Sequence, residues 1–154
     1  MKVTLLFASL LGMSVQALAD DAAKAKLMEI GKTNYVTCSA CHGPEGKGVV
    51  MGPTMKMGPS FDGSKIATGD PAIFALVLLN GIQKEGAEYI GPMAAMGATM
   101  DDEKLAGVMT YVRNSFGNSA GVVTADDAKK YREQWKGISG PVTRAKLTEL
   151  AAKK

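Results

Sequence analysis

Two cysteines and one histidine are all that 154 residues contain. That scarcity excludes several kinds of chemistry. A structural zinc takes four ligands, usually Cys or His, so here it would have to recruit a carboxylate. A Ser-His-Asp or Cys-His-Asn relay would have to claim the only histidine. Long apolar runs are lacking as well. Val3 to Leu11 is too short to span a bilayer comfortably, and no second membrane segment follows it. No internal repeat or low-complexity tract occurs. Nor is there an excess of basic charge over the main body: residues 20–125 hold 9 Lys/Arg against 11 Asp/Glu, a net of −2. Residues 126–154 hold 8 against 4, a net of +4, which reads as a solvated helical face, and nothing resembles a nucleic-acid surface.

The scarce residues are clustered. Both cysteines and the histidine fall in Cys38-Ser39-Ala40-Cys41-His42. C-x-x-C-H is the attachment signature of c-type haem, in which two thioethers fix the porphyrin and the adjacent imidazole reaches the iron from one face. A thioredoxin-like dithiol would follow a strand, whereas the residues upstream read as a helix. A plain disulfide leaves His42 unexplained. With the histidine committed to iron, no relay can use it.

The start of the chain fits the same chemistry. Lys2, the apolar run Val3 to Leu11 and Ala17-Leu18-Ala19 form a charged region, an apolar region and an A-x-A cleavage site, so residues 1–19 read as a signal peptide and Asp20 as the mature start. The alternative is a retained anchor, which the short run disfavours. No cysteine follows closely enough for lipidation. The expected compartment is the bacterial periplasm, where c-type haem is attached.

Short helices joined by Gly/Pro loops make up the rest, an all-α pattern. A helix over 22–37, with Leu27, Ile30, Gly31 and Tyr35 near one face, delivers the cysteines. Residues 43–69 read as loop, with Gly-Pro at 43–44, 52–53 and 58–59. Asp70 as cap, Pro71 at the first position and Gly81 at the exit bracket a buried helix. After a second loop, 81–100, Asp101 caps a helix from Asp102 to Phe116 with the stripe Leu105, Val108, Met109, Val112 and Phe116, ended by Gly117-Asn118. Thr124-Ala125-Asp126-Asp127 forms a capping box for a helix carrying Ala128, Tyr131 and Trp135 on one side. A shorter helix follows Gly140-Pro141, using Val142, Leu147, Leu150 and Ala151. The organisation is thus a leader at 1–19, a haem domain at 20–118 and a helical extension at 119–154, packed on that domain or trailing from it.

Taken together, Gly31-x-x-x-Tyr35-x-x-Cys38-x-x-Cys41-His42, Gly58-Pro59, Gly69-Asp70-Pro71, and Met93 ahead of Tyr111-Val112-Arg113-Asn114-Ser115-Phe116-Gly117-Asn118 resemble the class I monohaem cytochromes c over roughly residues 31–117. The resemblance implies one covalently bound haem c in a cleft of an all-α domain whose first and last helices cross closely. Gly31 and Tyr35 would then meet Val108 and Tyr111. His42 would be the proximal ligand, its Nδ1 proton held by a proline carbonyl, with Pro59 the best match and Pro53 the runner-up. Met93 would be the sixth ligand. Met28 and Met109 sit on helices as core, and the resemblance puts Met51, Met55 and Met57 on the wrong side of the haem. These three could otherwise suggest a soft copper site, but a mobile loop lining or covering the haem explains them better.

The chain departs from that pattern in three places. Where many relatives have Met-Pro-x-Phe or Met-Pro-x-Trp, this chain has Met93-Ala94-Ala95-Met96, so Met96 can compete for the iron. Val50 to Met57 is longer than the pattern, and Lys104 stands where a Glu would complete a capping box. The resemblance implies a secreted single-electron carrier, not an enzyme, with iron ligated by His42 and Met93. Its partners would be a periplasmic dehydrogenase, a terminal oxidase or another respiratory complex, either as a free carrier or as a subunit. The competing reading is a haem protein whose labile sixth ligand admits small ligands or peroxide-type chemistry.

Overall fold

A computed structural model describes residues 7–153. The first six residues, with Lys2 and the beginning of the apolar run, lie outside them. The elements are α1 (Phe7–Asn34), α2 (Val36–His42), α3 (Lys65–Thr68), α4 (Pro71–Asn80), α5 (Asp102–Arg113), α6 (Ala125–Trp135) and α7 (Arg144–Ala152). Among the described residues there are only isolated β-bridges and no helix long and apolar enough to cross a membrane. α1 runs unbroken through Ala17-Leu18-Ala19, well ahead of the start at 22 read from the sequence.

α1 runs on into α2. Tyr35 between them keeps a helical φ of −63° and ψ of −17°, and its neighbours still bond through it, Tyr35 N to Gly31 O and Ser39 N to Tyr35 O. Asn34 Nδ2 donates to Ile30 O at 2.8 Å, a side-chain bond of the kind that competes with the backbone for a helix carbonyl.

The end of α1 packs directly against α5. A methyl placed on Gly31 would overlap Gly107 O and Tyr111 Cβ, and one on Gly107 would lie 2.6 Å from Ile30 Cγ2. Two facing glycines let the backbones touch. Gly31 therefore meets Gly107 and Tyr111, and Val108 shares the buried cluster of Tyr35 and also lines the internal cavity. Tyr35 closes the crossing, with ring centroids 5.4 Å from Tyr111 and 5.1 Å from Phe116, while its hydroxyl donates to Gly43 O at 2.7 Å. Of the two helix methionines, Met109 is fully buried and Met28 only half-buried.

α5 ends at Arg113, three residues before the expected stop at Phe116. Phe116 has φ +60°, a left-handed conformation unusual for a bulky residue, and this turns its ring onto Tyr35, Phe61 and Tyr111. Between α2 and α4, two features depart from the loop read from sequence. α3 is a single turn capped by Ser64, too short for any periodicity to reveal. Residues 49–57 pair into a small hairpin, with Met51 N bonded to Met55 O and Met57 N to Val49 O, and Lys56 is pinned to Glu88 O and Ile90 N. The segment expected to be mobile is thus held at both edges.

α4 is apolar on every side, and two cores explain why. One face, through Phe74, Ala75 and Leu78, joins a cluster with α5 and α6; the other, through Ile73, Leu76 and Val77, packs on Trp135, Val142 and Leu147. Asp70 Oδ1 accepts from Ala72 N at 2.8 Å to start the helix, and Gly81, at φ +76°, ends it.

The extension is packed on this framework. Thr124 and Asp127 form both bonds of the capping box. The Trp135 indole N–H donates to Ala72 O at 2.7 Å. In α7, Leu147 is buried and Leu150 partly so, but Ala151 is exposed. Arg113 supplies a central tie that its place in the sequence did not announce. Only 5% exposed, it donates to Ala67 O at 2.7 Å, Gly69 O at 3.0 Å and Gly121 O at 2.9 Å. Burial pushes its guanidinium pKa down, but an arginine stays charged, so its loss strands three carbonyls. Arg113→Met is expected to lower stability by about 2–4 kcal/mol in urea unfolding; an unchanged midpoint would refute this role.

Candidate haem-binding site

Residues of α2, α3, α4 and α5, the first residue of α7 and the connecting segments 57–64 and 82–96 enclose a cavity of about 360 Å³, within the roughly 300–1,000 Å³ range of cofactor sites. Its lining includes Cys38, Cys41, His42, Pro59 and Met93, the five residues singled out from the sequence, together with Met96 and Met57. Pro53 is not part of the lining. Much of the remaining wall is apolar, with Phe61, Phe74, Leu78, Val108 and Val112.

α2 is short, but its geometry is fixed from both ends. Cys38 and Cys41 are three residues apart and so share a helix face. Past His42 the chain folds back: Val49 N donates to Cys41 O at 3.0 Å and Gly48 N to His42 O at 2.7 Å, satisfying the last carbonyls of the helix. This return brings Pro59 beside the imidazole. His42 Nδ1 lies 2.9 Å from Pro59 O, which fixes the proton on Nδ1 and leaves Nε2 without a hydrogen-bond partner among the described residues. Phe61 stacks on the ring at 4.3 Å with an interplanar angle of 23°. Burial pushes the His42 pKa down, only partly opposed by the Pro59 carbonyl, so the imidazole is neutral as a metal ligand must be.

Burial, and then the neighbouring Cys41, push the Cys38 thiol up. A redox dithiol works through a lowered thiol pKa, and Cys38 is shifted the other way. The zinc reading finds no support either, because among the described residues no three of His, Cys, Asp or Glu gather as a metal-binding group.

The second methionine-bearing wall is a backbone ladder. Met93 N donates to Ile82 O at 2.9 Å and Ile82 N to Met93 O at 3.1 Å, while Met96 N donates to Leu78 O at 2.8 Å. A side chain at Gly81 would run into the backbone of residues 93–95. Both methionines are half-buried and both line the cavity.

A model of the family described as Cytochrome c matches residues 28–116. The chain belongs to the cytochrome c family. No curated protein matches the chain significantly. Membership means a covalently bound haem c, and Cys38 and Cys41 have the spacing that thioether attachment requires. The cavity fits that group on its own terms, with apolar walls, two thiols on one helix face and a neutral imidazole with a free ring nitrogen. The match ends at Phe116, so α6 and α7 lie outside it.

Three contributors to this site escaped the sequence reading. Gly107 looks like a helix-weakening residue until Gly31 is placed against it. Phe61 has no local mark beyond following Pro59 by two positions. Arg132 of α6 reaches the methionine segment through contacts that span more than thirty residues.

Proposed function

We propose that this cytochrome c is a periplasmic single-electron carrier, exported by residues 1–19 and cleaved before Asp20, with His42 and Met93 as axial ligands. The observation that carries the reading is one cavity with His42, its Nδ1 already committed to Pro59 O, and the methionines Met93 and Met96 among its lining residues. The bound haem supplies a one-electron ferric/ferrous couple. Around it, Pro59 orients His42, the apolar walls exclude water and favour the less charged ferrous state, and the Met93 segment fills the remaining position. The carrier accepts one electron from a donor and passes it to an acceptor. A periplasmic dehydrogenase, a terminal oxidase or another respiratory complex suits either end.

Two methionines on one wall favour a specific second reading, in which the sixth ligand is labile and the iron binds small molecules. Carbon monoxide added to the reduced protein separates the two. The carrier reading expects binding limited by slow loss of methionine; rapid, tight binding favours the alternative.

A further inference from the structure

Two contacts from outside the family match bear on the segment 93–100, one directly and one through Ile82. The first comes from α6. Arg132 donates from Nη1 to Gly97 O at 3.0 Å, from Nη2 to Met100 O at 2.8 Å and from Nε to Asp102 Oδ1 at 2.9 Å. One planar fork therefore spans the end of the methionine segment and the start of α5. The second comes from the stretch before α7. Val142 N donates to Gly81 O at 3.1 Å and Gln83 N to Val142 O at 2.9 Å, so Val142 pairs with one edge of Ile82. Met93 pairs with the other edge through both of its backbone bonds. Val142, Ile82 and Met93 thus lie side by side, joined by two bridges, with the extension on the outer side. Asn80 Nδ2 donating to Ile138 O at 2.7 Å and Gln83 Nε2 donating to Pro141 O at 3.2 Å reinforce the same join.

We propose that the extension is a clamp that holds the sixth-ligand segment against the haem cavity, with Arg132 and Val142 as its positioning residues. This rests on the reading of Met93 as a ligand. The physical need is visible in the sequence: Ala94 stands where a proline would stiffen this loop, so the segment has more freedom to lose on ordering. The clamp restores from outside the constraint that the missing proline removes from within. Neither Arg132 nor Val142 is on the lining of the cavity, so their effect is on how often Met93 leaves.

Carbon monoxide reports that population, because its apparent rate scales with the fraction of molecules in the open state. Arg132→Met removes the fork, and Val142→Pro removes the donor to Gly81 O. In the full-length haem-loaded protein each variant is expected to bind carbon monoxide on the order of tenfold faster than wild type. The near-infrared band of methionine-ligated ferric haem should also vanish at a lower temperature in each. Tyr35→Phe, which removes the buried bond to Gly43 O outside both the extension and the cavity lining, is the control for general destabilisation and should leave the carbon monoxide rate unchanged. Equal rates in Arg132→Met, Val142→Pro and wild type would overturn the clamp, as would an equal increase in Tyr35→Phe. If Val142→Pro does not fold, Arg132→Met decides alone. A wild-type protein without the methionine band would instead overturn the ligand reading.

Discussion

Met93→Ala is expected to abolish the near-infrared charge-transfer band of methionine-ligated ferric haem and to open the iron to exogenous ligands. Its reduction potential should fall on the order of 0.1 V, a modest part of the roughly 0.8 V that axial ligands command. Met96→Ala should leave the band in place. The contrast is informative because both side chains line the cavity while their backbones are held differently, Met93 by Ile82 and Met96 by Leu78. A band that survives in Met93→Ala and disappears in Met96→Ala would move the ligand three residues along the segment.

Gly31→Ala is expected to destabilise the fold by about 3 kcal/mol or more. Helix propensity alone predicts the opposite sign, since alanine is favoured over glycine by roughly 1 kcal/mol inside a helix. The steric effect wins because the added methyl overlaps a backbone oxygen, Gly107 O, which cannot rotate away as a side-chain tip could. Relief requires α1 and α5 to separate, which loosens Tyr35 from Tyr111 and Phe116. Urea unfolding of the haem-loaded protein measures the change. A Gly31→Ala variant more stable than wild type would contradict the crossing described here.

What could be read from the sequence was local. C-x-x-C-H needs five consecutive residues, Asp70-Pro71 and Gly81 bound their helix by chemistry at its own ends, and Thr124 with Asp127 closes a box within one turn. Pro59 could be proposed because the return loop is short enough for a resemblance to place it. Contacts made at long range carried no such mark. Gly107 has meaning only opposite Gly31, and Arg132 only beside a loop more than thirty residues earlier. The hairpin at 49–57 was hidden because its methionines and Gly52-Pro53 resemble a loose connection. Its order comes from Lys56 pairing with the stretch around Tyr89. Phe116 extends the α5 stripe in the sequence, but its left-handed backbone takes it out of the helix and onto the aromatic cluster.

Treating the protein purified from its native cells with acidified organic solvent, and then with a thiol-alkylating reagent under denaturing conditions, tests the account at its centre. If Cys38 and Cys41 are both thioether-linked, the haem stays with the polypeptide, the intact mass equals the chain from Asp20 plus one haem, and no thiol reacts. Haem released into the solvent, with two cysteines then open to alkylation, would contradict covalent attachment and every conclusion drawn from it.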